Sequence, residues 1–181
     1  MTKIIALCGP AGVGKTTLAE LLVKHHNYTR LNFARPIKIM LGALLKWQGA
    51  SDLQIRRMLD GDLKEEPTGL LDGQTPRRAM QTLGTEWRDL ISKNLWVNVW
   101  QNTAEQLRAP KIVIDDMRFL HEAQKVKELD GTIIRLERSG FSINMGHLSE
   151  HEYMEIQYDF VLVNHTTPID MLNELATRTS L

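Results

Sequence analysis

The sequence predicts an α/β protein in which a five-stranded parallel sheet is flanked by helices. Three observations predict it. Short apolar runs alternate with stretches of helical periodicity along the 181 residues. The first apolar run, Ile4-Ile5-Ala6-Leu7-Cys8, leads directly into Gly9-Pro10-Ala11-Gly12-Val13-Gly14-Lys15-Thr16, which fits G-x-x-x-x-G-K-[ST]. A later run, Ile112-Val113-Ile114, is wholly apolar and ends in two acids, Asp115 and Asp116.

Taken in order, residues 4–8 form the first strand. A helix follows from Lys15 to about His26, because Leu18, Leu21 and Leu22 recur at i, i+3, i+4. Tyr28 to Phe33 reads as the second strand. Pro36 stands where a helix takes its first residue, and Ile37, Leu41, Leu44 and Leu45 continue the stripe. Residues 48–74 are polar and punctuated by Gly61, Pro67, Gly69 and Gly73, which predicts loops around one short helix.

Thr75-Pro76 is an N-cap followed by Pro, and Met80, Leu83, Trp87, Leu90 and Ile91 make the helix stripe behind it. Trp96, Val99, Trp100, Thr103, Ala104 and Leu107 make another, whose period favours core packing over base stacking for its tryptophans. Residues 112–114 are the third strand, then a helix runs from about Phe119 to Leu129, with Gly131 as its stop. Thr132 to Glu137 is the fourth strand and Ser139 to Gly146 a loop. Ser149 with Glu152 is a capping box for a short helix. Phe160 to Val163 is the fifth strand, and Thr167-Pro168 opens the last helix, with Leu172, Leu175 and Ala176 facing inward.

Composition limits the function classes. Lys plus Arg and Asp plus Glu balance at 22 each, so no basic field exists to grip long nucleic acid. No apolar run reaches the length of a membrane span, and no signal-peptide layout opens the chain. The single cysteine, Cys8, falls in an apolar strand, consistent with a buried thiol in a reducing, cytoplasmic setting.

The glycine loop points to a nucleoside triphosphate. Glycines let successive N–H groups turn inward on phosphate oxygens, and the following helix adds the positive end of its dipole. Lys15 is expected to reach the β- and γ-phosphates and Thr16 to sit on Mg²⁺. Ligands of a parallel sheet gather at the carboxyl ends of its strands. The loop and the two acids both lie at such ends. Either Asp115 or Asp116 suits the metal, and alternation along the strand turns them opposite ways. Arg35, Lys38, Arg77, Arg78, Arg88, Arg118 and Arg138 lie scattered in sequence, several beside helix starts or strand ends. Cations there would offset the repulsion between two anionic substrates. Arg56 and Arg57 read as surface charges.

Three segments together resemble the phage-type deoxynucleoside monophosphate kinases. They are Phe33-Ala34-Arg35-Pro36-Ile37-Lys38, the run from Thr75-Pro76-Arg77-Arg78 to Gln81-Thr82-Leu83-Gly84-Thr85-Glu86, and Asp116-Met117-Arg118-Phe119-Leu120-His121-Glu122-Ala123. His147-Leu148-Ser149-Glu150 and Asp159 to Asn164 are similar to that family too, so the resemblance covers nearly the whole chain.

The resemblance implies the P-loop nucleoside-monophosphate-kinase fold in a single domain. Its core would comprise 1–34 and 108–181, its helical acceptor-binding insertion about 35–107, and its lid about 139–151. It implies transfer of the ATP γ-phosphoryl group to a deoxynucleoside monophosphate with Mg²⁺. Gly9, Ala11, Gly12, Val13, Gly14, Lys15, Thr16 and Thr17 would hold ATP, with Asn164 near the adenine. Lys15, Asp116, Arg118 and Arg138 would be catalytic, and Thr16 with Asp116 would take the metal. Arg35, Lys38, Arg77, Arg78, Gln81, Thr85, Glu86 and Trp96 would line the acceptor pocket, with His147 and Glu150 in or beside the lid. The expected protein is a monomer or homodimer without membrane or long nucleic-acid partners, in the host cytoplasm if phage-encoded.

Two alternatives share parts of this reading. A dephospho-coenzyme A kinase would need an acid near the second strand to take a hydroxyl proton, and Asn32-Phe33-Ala34-Arg35 offers none. A nucleotide-gated binding module would consume ATP without regard to an added monophosphate.

Overall fold

A computed structural model describes residues 2–138, 154–164, 167–179 and 181. The expected lid at 139–151, with His147, Glu150 and the start of the Ser149–Glu152 box, lies outside the described residues, as does Glu152 itself.

The chain divides into two compact units, Met1–Phe33 with Trp100–Leu181, and Ala34–Val99. In the first unit the order is β1 (Lys3–Cys8), α1 (Lys15–His26), β2 (Thr29–Arg30), β3 (Lys111–Ile114), α6 (Leu120–Glu128), β4 (Thr132–Glu137), β5 (Phe160–Val163) and α7 (Pro168–Arg178). The second unit contributes α2 (Arg35–Trp47), α3 (Asp52–Asp60), two 3₁₀ turns (Asp62–Glu65 and Gly69–Leu71) and α4 (Pro76–Leu90). Helix α5 (Leu95–Leu107) carries the chain from the second unit back to the first.

All five strands are parallel, in the order β2-β3-β1-β4-β5. β1 lies at the centre, and Ile4 to Cys8 are at most 5% exposed, which explains a strand with no polar face. Leu18 and Leu22 of α1 and Met171, Leu172 and Leu175 of α7 close over the sheet with Ile5, Leu7, Val113, Ile134 and Leu136. Truncating one of these fully buried leucines to alanine costs roughly 2–5 kcal/mol. The register Ala6↔Ile114 sets the end of β3 beside the end of β1, so the acids and the glycine loop share one edge.

β2 is shorter than its sequence predicts. Only Thr29 and Arg30 pair as strand, and the Leu31 N–H still reaches Val113 O at 3.0 Å. Beyond that point side chains replace the ladder. The Asp115 N–H donates to Asn32 Oδ1 at 3.3 Å, and the Phe33 N–H donates to Asp116 Oδ1 at 3.1 Å. Trp100 fastens this turn from α5: its indole N–H donates to Leu31 O at 2.9 Å, and its ring lies 5.1 Å from that of Phe33.

Gly131 ends α6 differently from the expected stop. Asp130 takes the left-handed conformation (φ 55), and Gly131 is needed because a Cβ there would come within 2.6 Å of Val126 Cγ1 and 2.9 Å of Val126 O. In the second unit, residues 48–74 are more ordered than their polarity suggests. Ser51 and Gln54 make a reciprocal capping box for α3. Leu41, Leu45, Met58 and Leu59 build a small core against Met80 and Leu83 of α4. Among the described residues no helix is long and apolar enough to cross a membrane.

Candidate active site

The glycine loop joins β1 to α1. Gly9 has φ 130, and a Cβ there would lie 2.4 Å from Leu136 O, so only glycine lets the loop leave β1 against β4. Gly14 caps α1 with φ 108, and its missing side chain leaves room for Asn164, whose Nδ2 would be 2.8 Å from such a Cβ. That amide donates to Val13 O at 2.9 Å. Asn164, expected near the adenine, thus contacts the phosphate loop itself. Lys15 is buried, and its Nζ donates to Gly9 O and Pro10 O, each at 2.7 Å. Ala11, Gly12, Thr16 and Thr17 are exposed on the same loop and first turn.

At the end of β3 the two acids do face different partners. Thr16 Oγ1 donates to Asp115 Oδ2 at 2.7 Å. Arg30 grips the same carboxylate with both arms, Nε to Oδ1 at 2.8 Å and Nη2 to Oδ2 at 2.6 Å. The Asp115 side chain is only 2% exposed. Burial alone would raise its pKa, but hydrogen bonds from Arg30 and Thr16 and the guanidinium charge hold it below the usual carboxylate range. Asp116, the acid favoured by the resemblance, instead accepts the Phe33 N–H. The geometry brings Thr16 together with Asp115. Arg30 escaped the sequence reading altogether, although it lies on a strand beside the acid-ended β3.

Arg118 follows β3, half-buried, and Arg138 is exposed at the end of β4. The Arg118 N–H donates to Glu122 Oε2 at 2.7 Å, and the Phe119 N–H donates to the same oxygen at 3.1 Å. Glu122 thereby holds the first turn of α6. It is 6% exposed, and burial, with the nearby Asp116 charge, pushes its carboxyl up to about 8. A carboxyl raised this way keeps its proton in the folded chain where the unfolded chain has lost it. Stability is therefore highest below about pH 4.5 for this group and falls as pH rises toward about 8. Glu122→Gln should fold and flatten that slope in thermal melts across the window; an unchanged slope would remove Glu122 as its source. Burial likewise pushes the Cys8 thiol up to about 11, leaving it unreactive at neutral pH.

The acceptor candidates lie in the second unit. Arg77, Gln81 and Thr85 recur at i, i+4, i+8 on one face of α4, all half-buried. Arg77 pairs with Glu65 at 3.4 Å, and Lys38 pairs with Asp60. Arg35, Arg78 and Glu86 are exposed. Trp96 is 7% exposed, donates its indole N–H to Gly84 O at 2.9 Å, and stacks on Trp87 with ring centroids 6.2 Å apart. Its ring is engaged in packing within its own unit. Arg88 is buried on α4, and Arg57 pairs with Asp62 on the surface.

A parallel sheet with the loop after its central strand, a buried lysine in that loop, and a threonine bonded to a neighbouring strand-end acid define a P-loop protein. Comparison with known proteins narrows the class. A family model described as deoxynucleotide monophosphate kinase matches residues 68–176. A model of the ATPase family associated with various cellular activities matches residues 5–71, the stretch holding the phosphate loop. The chain is 34% identical over 177 residues to the "Putative deoxynucleotide monophosphate kinase" of Acanthamoeba polyphaga mimivirus, covering 91% of this chain and 89% of that protein.

The chain belongs to the deoxynucleotide monophosphate kinase family, and it is accordingly a nucleotide-kinase enzyme. Two solved structures share the fold. TT1252 from Thermus thermophilus has a TM-score of 0.52 at 19% identity over 98% of this chain and 95% of its own. A sugar kinase from a Janibacter species has a TM-score of 0.51 at 14% identity over 98% and 94%.

Proposed function

We propose that this enzyme transfers the γ-phosphoryl group of ATP to the 5′-phosphate of a deoxynucleoside monophosphate, with Mg²⁺ held through Thr16 and Asp115. The observation that carries the metal assignment is the Thr16–Asp115 bond. The hydroxyl gives its proton to the carboxylate, so the oxygen lone pairs stay available to a cation. No group of three or more His, Cys, Asp or Glu that could cage an ion occurs among the described residues. Magnesium usually keeps waters and takes substrate phosphates with one or two protein oxygens, which Thr16 and Asp115 would supply. When bound, the ion would neutralise phosphate charge.

The acceptor phosphate is already a nucleophile, so the reaction asks for no strong general base. Loop amides hold the donor, Lys15 offsets charge on its outer phosphates, and arginines quieten the repulsion between the two substrates. Arg118 at the end of β3 and Arg138 at the end of β4 fit that last role on the donor side. For the acceptor, Arg77 and Arg78 would take the phosphate and Gln81 the base edge, with Arg35, Lys38, Thr85 and Glu86 around them. Arg77→Ala and Arg78→Ala should each raise the acceptor KM by roughly tenfold and leave the ATP KM unchanged. A change confined to the ATP KM would move both residues to the donor. The viral relative supports a viral setting, and the enzyme would then act in the host cytoplasm.

A coupled assay tests the whole reading. ATP consumption should depend on an added deoxynucleoside monophosphate, offered one base at a time. Consumption indifferent to all of them would favour a binding module instead.

A further inference from the structure

We infer that Asn164 is a positioning residue of the triphosphate site: it aims the Gly14 N–H into the phosphate loop and reads no base. This deepens the proposed function and rests on its donor assignment. Asn164 directly follows β5, and its backbone N–H donates to Glu137 O at 2.7 Å, which pins it to the end of β4. Its side-chain amide reaches across to Val13 O at 2.9 Å. The atom facing a carbonyl oxygen has to be the donor nitrogen, so the orientation of this amide is determined by chemistry.

The consequence follows from peptide geometry. The Val13–Gly14 bond is trans, since no cis peptide occurs among the described residues. In a planar trans unit the C=O and the following N–H point in opposite directions. Holding the Val13 carbonyl toward β5 therefore turns the Gly14 N–H away from β5, to the side where the loop curls on itself. Glycine at 14 makes this possible twice over. It accepts φ 108, and it leaves the space that the Asn164 amide fills, since a Cβ would sit 2.8 Å from that nitrogen. A preset amide pays no reorganisation when the anion arrives, which is where a fixed donor gains over a mobile one.

Inorganic tripolyphosphate carries the phosphates without a base, so it separates the two roles. Calorimetry should be run on the whole enzyme, wild type against Asn164→Ala and Asn164→Asp. The aspartate keeps the shape, but it has no proton to give the carbonyl and opposes it with a charge. Both variants should weaken tripolyphosphate and ATP by the same factor, about tenfold. The KM for the deoxynucleotide should stay put, and the two variants should melt as cooperative folds. Loss confined to ATP would mean that Asn164 reads adenine, and loss of neither would mean that the bond is idle; each overturns the inference. Should the wild type bind neither ligand, the donor site itself would fall and this inference with it, a result distinct from the other two.

Discussion

Lys15→Ala is expected to lower kcat by at least about 10³-fold while the protein still folds. Lys15 is the one cation of the glycine loop, and its ammonium already lies within 2.7 Å of two loop carbonyls. Its position is set by the loop, so no other side chain can substitute for its charge at the outer phosphates. Loss of those two bonds should cost about 2 kcal/mol, or roughly 4–8 °C in Tm for a chain of this size. Steady-state kinetics with a parallel thermal melt separates the two effects. A folded variant that retains near-normal kcat would remove the loop from the chemistry.

The second large effect concerns the paired acids. Asp115→Asn should reduce kcat by about 10²-fold, whereas Asp116→Asn should stay within about threefold of wild type. The contrast comes from what each carboxylate meets. Asp115 accepts Thr16 and a bidentate Arg30 and is almost wholly buried, so its charge is committed to the loop threonine. An asparagine there keeps one acceptor but loses the charge that balances Arg30 and draws a cation to Thr16. Asp116 serves a backbone N–H of the turn after β2, and an asparagine oxygen can accept that bond equally well. Kinetics across a magnesium titration checks the pair. The opposite order, with Asp116 the sensitive position, would return the metal to the acid that the family motif favours.

The legible parts of the molecule were those whose signal is local. The glycine loop, the apolar strands β1 and β3, and the Thr-Pro starts of α4 and α7 each depend on neighbours within one turn of chain. Alternation along β3 implied that its two acids diverge, yet it carried no information on which side α1 lies, and that side decides which acid meets Thr16. Arg30 was hidden for a related reason. It becomes a partner of Asp115 only when β2 pairs with β3, a contact across 85 residues of chain. Asn32 shortens β2 by offering a side-chain acceptor in place of a ladder carbonyl, a substitution that propensity does not foresee. Trp96 illustrates an ambiguity resolved by geometry: its period suited packing, and its N–H and ring are both engaged inside its own unit.

Transfer from one phosphate to another is the central claim, and following the label from γ-³²P ATP tests it most directly. With a deoxynucleoside monophosphate present, the label should appear in the β-phosphate of the deoxynucleoside diphosphate, in amounts equal to the ADP formed. Label released as orthophosphate, or recovered in an ester on a sugar hydroxyl, would contradict the account.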